Sequence, residues 1–141
     1  DVPWYLHPAD KCLIGWGNEI LDMFGIKRLC SHHDVPSDLD CRVTEILPET
    51  KMHIIHTPGH SAGGVSFWFP DYRVLITGDT IFNQGFGRYD FPTGDKRQLE
   101  QSISKLYDMN LEPETYVVHG HGPDSVIDSL KKNNPLFKHY D

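Results

Sequence analysis

"HTPGHSAGG", residues 56–64, follows the apolar-rich run "KMHIIHT" and sets one imidazole, His60, inside a string of Pro, Gly and Ser. That composition makes a turn, because Pro fixes φ and Gly adopts backbone conformations closed to other residues. A strand ending in a rigid turn presents a side chain from a fixed scaffold. Whatever His60 is presented to should lie at the ends of other strands.

Two further strand-like runs end in the same way. "RVLITGD" (73–79) closes on Asp79, and "ETYVVHG" (114–120) closes on His119, with His121 two residues later. Imidazole nitrogen and carboxylate oxygen are the usual protein donors to Zn²⁺ and related ions. Nineteen residues separate His60 from Asp79, and forty-two separate Asp79 from His121. Such distances suit a site assembled from several strand ends, unlike the compact cluster of a zinc finger. Each residue also has an ordinary alternative. His60 could be a hydrogen-bonded turn residue, Asp79 could cap its own turn, and His119 and His121 could be polar loop groups. Three such strand ends in one chain weigh against all three alternatives together, and nine His in 141 residues points the same way.

The rest of the chain supplies a scaffold. "VPWYLH" (2–7) reads as a short strand and residues 10–24 as a helix, although Gly15 and Gly17 weaken it. "SHHDVPSDLDC" is a polar loop, so His32 and His33 read as solvated. "RVTEIL" (42–47) and "KMHIIHT" (51–57) read as strands joined by "PET". "GVSFWF" (64–69) and "RVLITGD" form a hairpin around "PDY", the second strand apolar enough to be buried. After the Gly-rich loop "NQGFGRYDFPTGD" (83–95), residues 96–109 carry Leu99, Ile103, Leu106 and Tyr107 at helical spacing. "PDSVIDSLKK" (123–132) reads as a helix opened by Pro123 and Asp124. Paired strands followed by alternating strands and helices make this an α/β chain, a mixed sheet with flanking helices. No linker or repeat divides it, so residues 1–141 are one domain.

Composition narrows the partners. A net charge of −7 argues against nucleic acid, which requires clustered Lys and Arg. There is no run of 18 apolar residues to span a membrane, and "DVPWYLHPAD" does not read as a secretory signal peptide. Cys12, Cys30 and Cys41 are odd in number and form no CxxC, which reads as reduced thiols and a cytoplasmic setting.

At this point the chain resembles the metallo-β-lactamase-fold hydrolases, within them the glyoxalase II-like (hydroxyacylglutathione hydrolase-like) branch. "HTPGHSAGGVSFW", "LITGDTIFNQGFGRYDFPTGD" and "VVHGHGP" look like that branch's second, third and fourth metal motifs, in order. "LHPAD" and "NNPLF" look like its flanking segments. The resemblance implies the C-terminal portion of an αβ/βα sandwich, with His60 a ligand of a first metal, His121 of a second, and Asp79 the carboxylate bridging both. It further implies two zinc ions, with Fe or Mn as alternatives, and a metal-bound hydroxide attacking a thioester carbonyl. Arg88, in "GFGRYDF", stands where a basic residue holds glutathione, although a loop salt bridge with Asp90 or Asp95 is an equal reading. A lactamase of the Cys-ligand type would carry Cys at position 79.

The family's leading motif, H-x-H-x-D-H, is absent. Around His119 the chain reads "HGHGPD", which fits the last motif instead. In the family the leading motif precedes a segment like "VPWYLHPAD", so the domain is expected to be N-terminally incomplete. A catalytic zinc normally takes three protein ligands, and an uncovered half-sheet exposes edges and apolar surface. The 141 residues alone are therefore expected to retain metal poorly, to be inactive, and to be unstable or rescued by an oligomer covering the half-sheet. The expected partner of the full-length protein is a small-molecule thioester, such as a glutathione derivative. Two other readings stand beside this one: a glutathione persulfide dioxygenase using a single iron, and a noncatalytic fragment in which residues 60, 79 and 121 are relics.

Overall fold

The computed structural model describes residues 4–26, 36–41 and 49–136. The strand expected at 42–47, Cys30 and the His32–His33 pair lie outside the described residues.

Tyr5–Leu6 (β1) pairs in parallel with Ser37–Asp38 (β2). Between them Lys11–Met23 forms α1, close to the helix expected from Leu13, Ile14, Ile20, Leu21 and Phe24. None of its residues is buried, and Met23, Phe24 and Ile26 near its end are exposed. Its first residue, Lys11, is ion-paired with Asp38 of β2.

Among the described residues the main sheet has five strands: β3 (His53–His56), β4 (Val65–Phe69), β5 (Val74–Gly78), β8 (Tyr116–His119) and β9 (Ser125–Val126), in that spatial order. β3, β4 and β5 are successive antiparallel neighbours, and Phe67 faces Ile76 in the expected hairpin. β5 and β8 are parallel, and a parallel pair requires a crossover connection. That connection carries a small hairpin, β6 (Ile81–Phe82) with β7 (Gly85–Phe86), and helix α2 (Lys96–Asp108). Asp95 caps α2, accepting the Gln98 N–H at 2.9 Å, as short polar residues do at helix starts.

Helix α2 buries Leu99, Ile103 and Leu106, spaced one turn apart, against Leu75 and Val117 of the central strands. Ile81, Ile127 and Leu130 complete this core. The period-3.6 stripe on one side and period-2 alternation on the other thus meet in a single apolar layer.

The helix expected over 123–132 begins later. Ser125 and Val126 pair with β8 as strand β9, and α3 runs over Ile127–Asn133. Pro123 and Asp124 suit a first helical turn, but the Tyr116 and Val117 edge was open, and the ladder bonds it offers outweigh a local helix start.

Candidate metal centre

β3, β5 and β8 point the same way: β3 and β5 each run antiparallel to β4, and β8 runs parallel to β5. Their C-terminal ends therefore open on one edge of the sheet, where open α/β sheets place their ligands. His60, Asp79 and His121 all lie just beyond those ends. The two inner loops are tied directly, the Gly120 N–H donating to the Gly78 carbonyl at 2.9 Å.

The three side chains meet through one carboxylate oxygen. Asp79 Oδ2 lies 3.3 Å from His60 Nε2 and 3.4 Å from His121 Nε2. Two donors bound to one tetrahedral zinc at about 2.0–2.2 Å are separated by roughly 3.3–3.6 Å, so each pair fits an ion. Among the described residues no three His, Cys, Asp or Glu side chains converge as a single metal cluster. The arrangement is two overlapping donor pairs sharing Asp79. Each pair is short of the three protein ligands that a catalytic zinc takes.

The tautomer of His60 is fixed. Its Nδ1 lies 2.6 Å from the Arg88 carbonyl, and a carbonyl only accepts, so Nδ1 carries the proton. Nε2, facing Asp79, keeps its lone pair when the ring is neutral, the usual arrangement of a ligating imidazole. The Phe91 ring meets the His60 ring edge-on at 5.1 Å.

The turn carrying His60 is braced from several sides. Ser102 Oγ of α2 donates to the Pro58 carbonyl at 2.7 Å, and Lys105 Nζ donates to the His56 carbonyl at 2.7 Å. Asp95 N–H donates to the Gly59 carbonyl, and the Ala62 N–H to Thr93 Oγ1. Gly59 has φ +135°, and a Cβ there would overlap the Leu99 backbone. Gly78 has φ +51° at a register shift ending β5. Gly120 is needed for space instead of a turn: its Cβ would fall on Asp79 Oδ1.

His119 faces elsewhere. It is buried, with Nδ1 donating to the Ile81 carbonyl at 2.7 Å and Nε2 2.8 Å from Ser125 Oγ. Burial holds its pKa below the usual histidine value, so it is a neutral pillar beneath the loop. His56 stacks on His7 with ring centroids 4.4 Å apart.

The Arg88 guanidinium forks onto Asp90, with Nε–Oδ1 at 2.9 Å and Nη2–Oδ2 at 2.7 Å, and lies 4.9 Å over the Phe91 ring. The pairing raises the arginine pKa and lowers that of Asp90. Beside His121 a cleft of about 340 Å³ is lined by Phe82, Asn83, Gln84, Gly122 and Pro123. Buried Asn134 shapes its wall, donating to the Phe82 and Gly85 carbonyls, both at 2.8 Å.

Sequence reading passed over His7, Asp10 and Ser61. "LHPAD" carries no motif for a contact with a turn some fifty residues away; the signal available was only an Asp at a helix start.

Comparison with known proteins fits this geometry. The profile of the metallo-beta-lactamase superfamily matches residues 2–127. The chain is 30% identical to the probable metallo-hydrolase YqgX of Bacillus subtilis, covering 96% of this chain and 64% of that protein. It is 40% identical over 86 residues to the hydroxyacylglutathione hydrolase GloC of Haemophilus influenzae, covering 60% of this chain and 40% of that one. Among solved structures, TTHA1623 in a di-iron-bound form superposes with a TM-score of 0.77 at 32% identity, over 96% of this chain and 65% of that chain. The BLEG-1 B3 metallo-beta-lactamase gives 0.79 at 30% identity, with the same two coverages. The chain thus spans slightly less than two thirds of the length of YqgX and of both solved structures.

Proposed function

The chain belongs to the metallo-beta-lactamase superfamily, and on that premise we propose that the full-length protein is a metal-dependent hydrolase of thioesters, of the hydroxyacylglutathione hydrolase-like kind. The observation that carries this reading is the single oxygen of Asp79 shared between His60 and His121. The 40% identity to GloC supports the thioester class.

His60 and Asp79 would hold one ion and Asp79 and His121 a second, zinc in this proposal, with iron or manganese as alternatives. When bound, such ions acidify a water and polarise a carbonyl. Within this chain, Asp79 supplies the charge common to both pairs, and the Arg88 carbonyl keeps His60 in the ligating tautomer. The cleft beside His121 gives the substrate a wall of Phe82, Asn83 and Gln84. Arg88 would assist a carboxylate-bearing substrate only by exchanging Asp90 for it.

The test is hydrolysis of a glutathione thioester by the full-length protein, with metal counted by mass spectrometry. Two ions per chain and thioester cleavage are expected. One iron, with oxygen consumed on a glutathione persulfide, would favour the dioxygenase reading. No metal at saturating zinc would favour the relic. A β-lactam belongs in the same assay because a B3 lactamase is among the structural neighbours. The 141 residues alone should be inactive and either unstable or rescued by an oligomer that covers the exposed half-sheet; an inert, stable monomer would preserve the first expectation and remove the second.

A further inference from the structure

The proposed reaction has no direct use for "LHPAD" (6–10), and the fold lays it on the turn of His60. Asp10 Oδ2 accepts from Ser61 Oγ at 2.6 Å, and Oδ1 accepts from the Gly63 N–H at 2.6 Å. These donors flank Ala62 and begin at the residue directly after His60. Three residues earlier in the same segment, His7 stacks on His56, whose Nε2 is 2.9 Å from the Ala62 carbonyl. Both ends of the turn are thus gripped from one short stretch, about fifty residues away in sequence.

Asp10 gives up its local role to do this. It occupies the N-cap of α1, where an Asp side chain ordinarily accepts from a backbone N–H of its own helix. Here it makes no such bond. The helical start is capped one turn earlier, where His7 Nδ1 accepts from the Ala9 N–H at 3.3 Å, and the Asp10 carboxylate serves the turn. The fit leaves no room: a Cβ at Gly63 would stand 2.6 Å from the Asp10 carboxyl carbon. Hydrogen bonds to an ionised carboxylate are the strong kind, and two of them converge on the stretch that sets the ring direction of His60.

We propose that Asp10 is a positioning residue for metal binding: its carboxylate, through Ser61 and Gly63, holds the His60 turn in the ligating conformation before any ion arrives. It touches neither ion nor substrate. The proposal rests on the reading of His60 as a ligand. Groups that orient metal ligands typically account for about 10- to 100-fold in metal affinity, and that is the loss assigned to Asp10.

The experiment measures zinc affinity of the full-length protein by competition with a chromophoric chelator, together with the visible spectrum of the Co²⁺ form. Variants D10A, S61A and H60A are compared, with circular dichroism melting of each metal-free protein. D10A and S61A should each bind zinc 10- to 100-fold more weakly at unchanged final stoichiometry, with an altered Co²⁺ spectrum. The double variant should lose little more than D10A alone, because D10A already removes the Ser61 contact along with the Gly63 one. H60A should lose stoichiometry outright. If H60A binds metal normally, the ligand reading fails and the positioning role with it. If H60A loses metal while folded D10A and S61A keep wild-type affinity and spectrum, the positioning role alone is overturned. Should D10A fail to fold, S61A decides the matter, since it deletes only a hydroxyl.

Discussion

The two histidines flanking Asp79 are held in opposite ways. His60 is 27% exposed in its side chain, its Nδ1 is committed to the Arg88 carbonyl, and its turn is tied to α2, to residues 93 and 95, and to Asp10. His121 is 75% exposed, follows a glycine and precedes Gly122 at φ +79°. Beyond Asp79, its described neighbour is the edge of the Phe82 ring at 5.8 Å. One histidine is held from several sides and the other is exposed with few contacts. A preorganised donor loses little entropy on binding, so the His60–Asp79 pair should fill first and more tightly.

The largest effect should come from D79A, which removes the atom that both pairs share. Activity should drop by about 10³-fold or more, on the scale of deleting an electrostatic catalytic group, and metal counting should return at most one weakly held ion. Retention of two tightly held ions would dissolve the comparison. Next, H60A and H121A should separate: zinc titration of H60A should lose the tight phase, and that of H121A only the weak one. Equal losses would mean that the bracing of the His60 turn has no energetic consequence for binding.

Stability tests the scaffold beneath the comparison. G59A should destabilise the fold by about 1–3 kcal/mol in urea titration, through overpacking against Leu99 and an unfavourable φ. S125A should cost about 1–3 kcal/mol, because it leaves buried His119 Nε2 without its partner. A smaller effect belongs to His7. Burial first, then the neighbouring His56, lower its pKa against an opposing pull from Asp10. A histidine whose folded pKa lies below its unfolded value of 6.5 disfavours protonation in the folded state. The stability tied to it is therefore complete above pH 6.5 and declines as pH falls towards the folded pKa. Histidine NMR titration should put the His7 midpoint below 6.5.

Much of this was legible in particular residues. Hydrophobic period placed α2, the β4–β5 hairpin and β8, because each buries an uninterrupted apolar pattern. Strand ends in Gly-His and Gly-Asp located the loops, because few other compositions turn a chain so sharply. Spacing alone left His119 and His121 open. The alternation of β8 separates them: Val117 is fully buried, and His119, two residues on, shares its inward face. The start of α3 was misread because pairing with β8 is a tertiary effect. The service of Asp10 to residues 61 and 63 was invisible for the same reason, since an N-cap aspartate looks identical whether or not it caps.

Helix α2 reaches the His60 turn with Ser102, with Lys105 and with the Leu99 backbone, against which Gly59 sits too close for any side chain. The same helix carries the largest share of the core. A mutational scan of full-length protein, scored for growth under zinc limitation, should therefore find sensitive positions on α2, in a helix that supplies no proposed ligand. Under the proposed metal reading, variation there would tune metal demand while leaving every proposed donor atom unchanged.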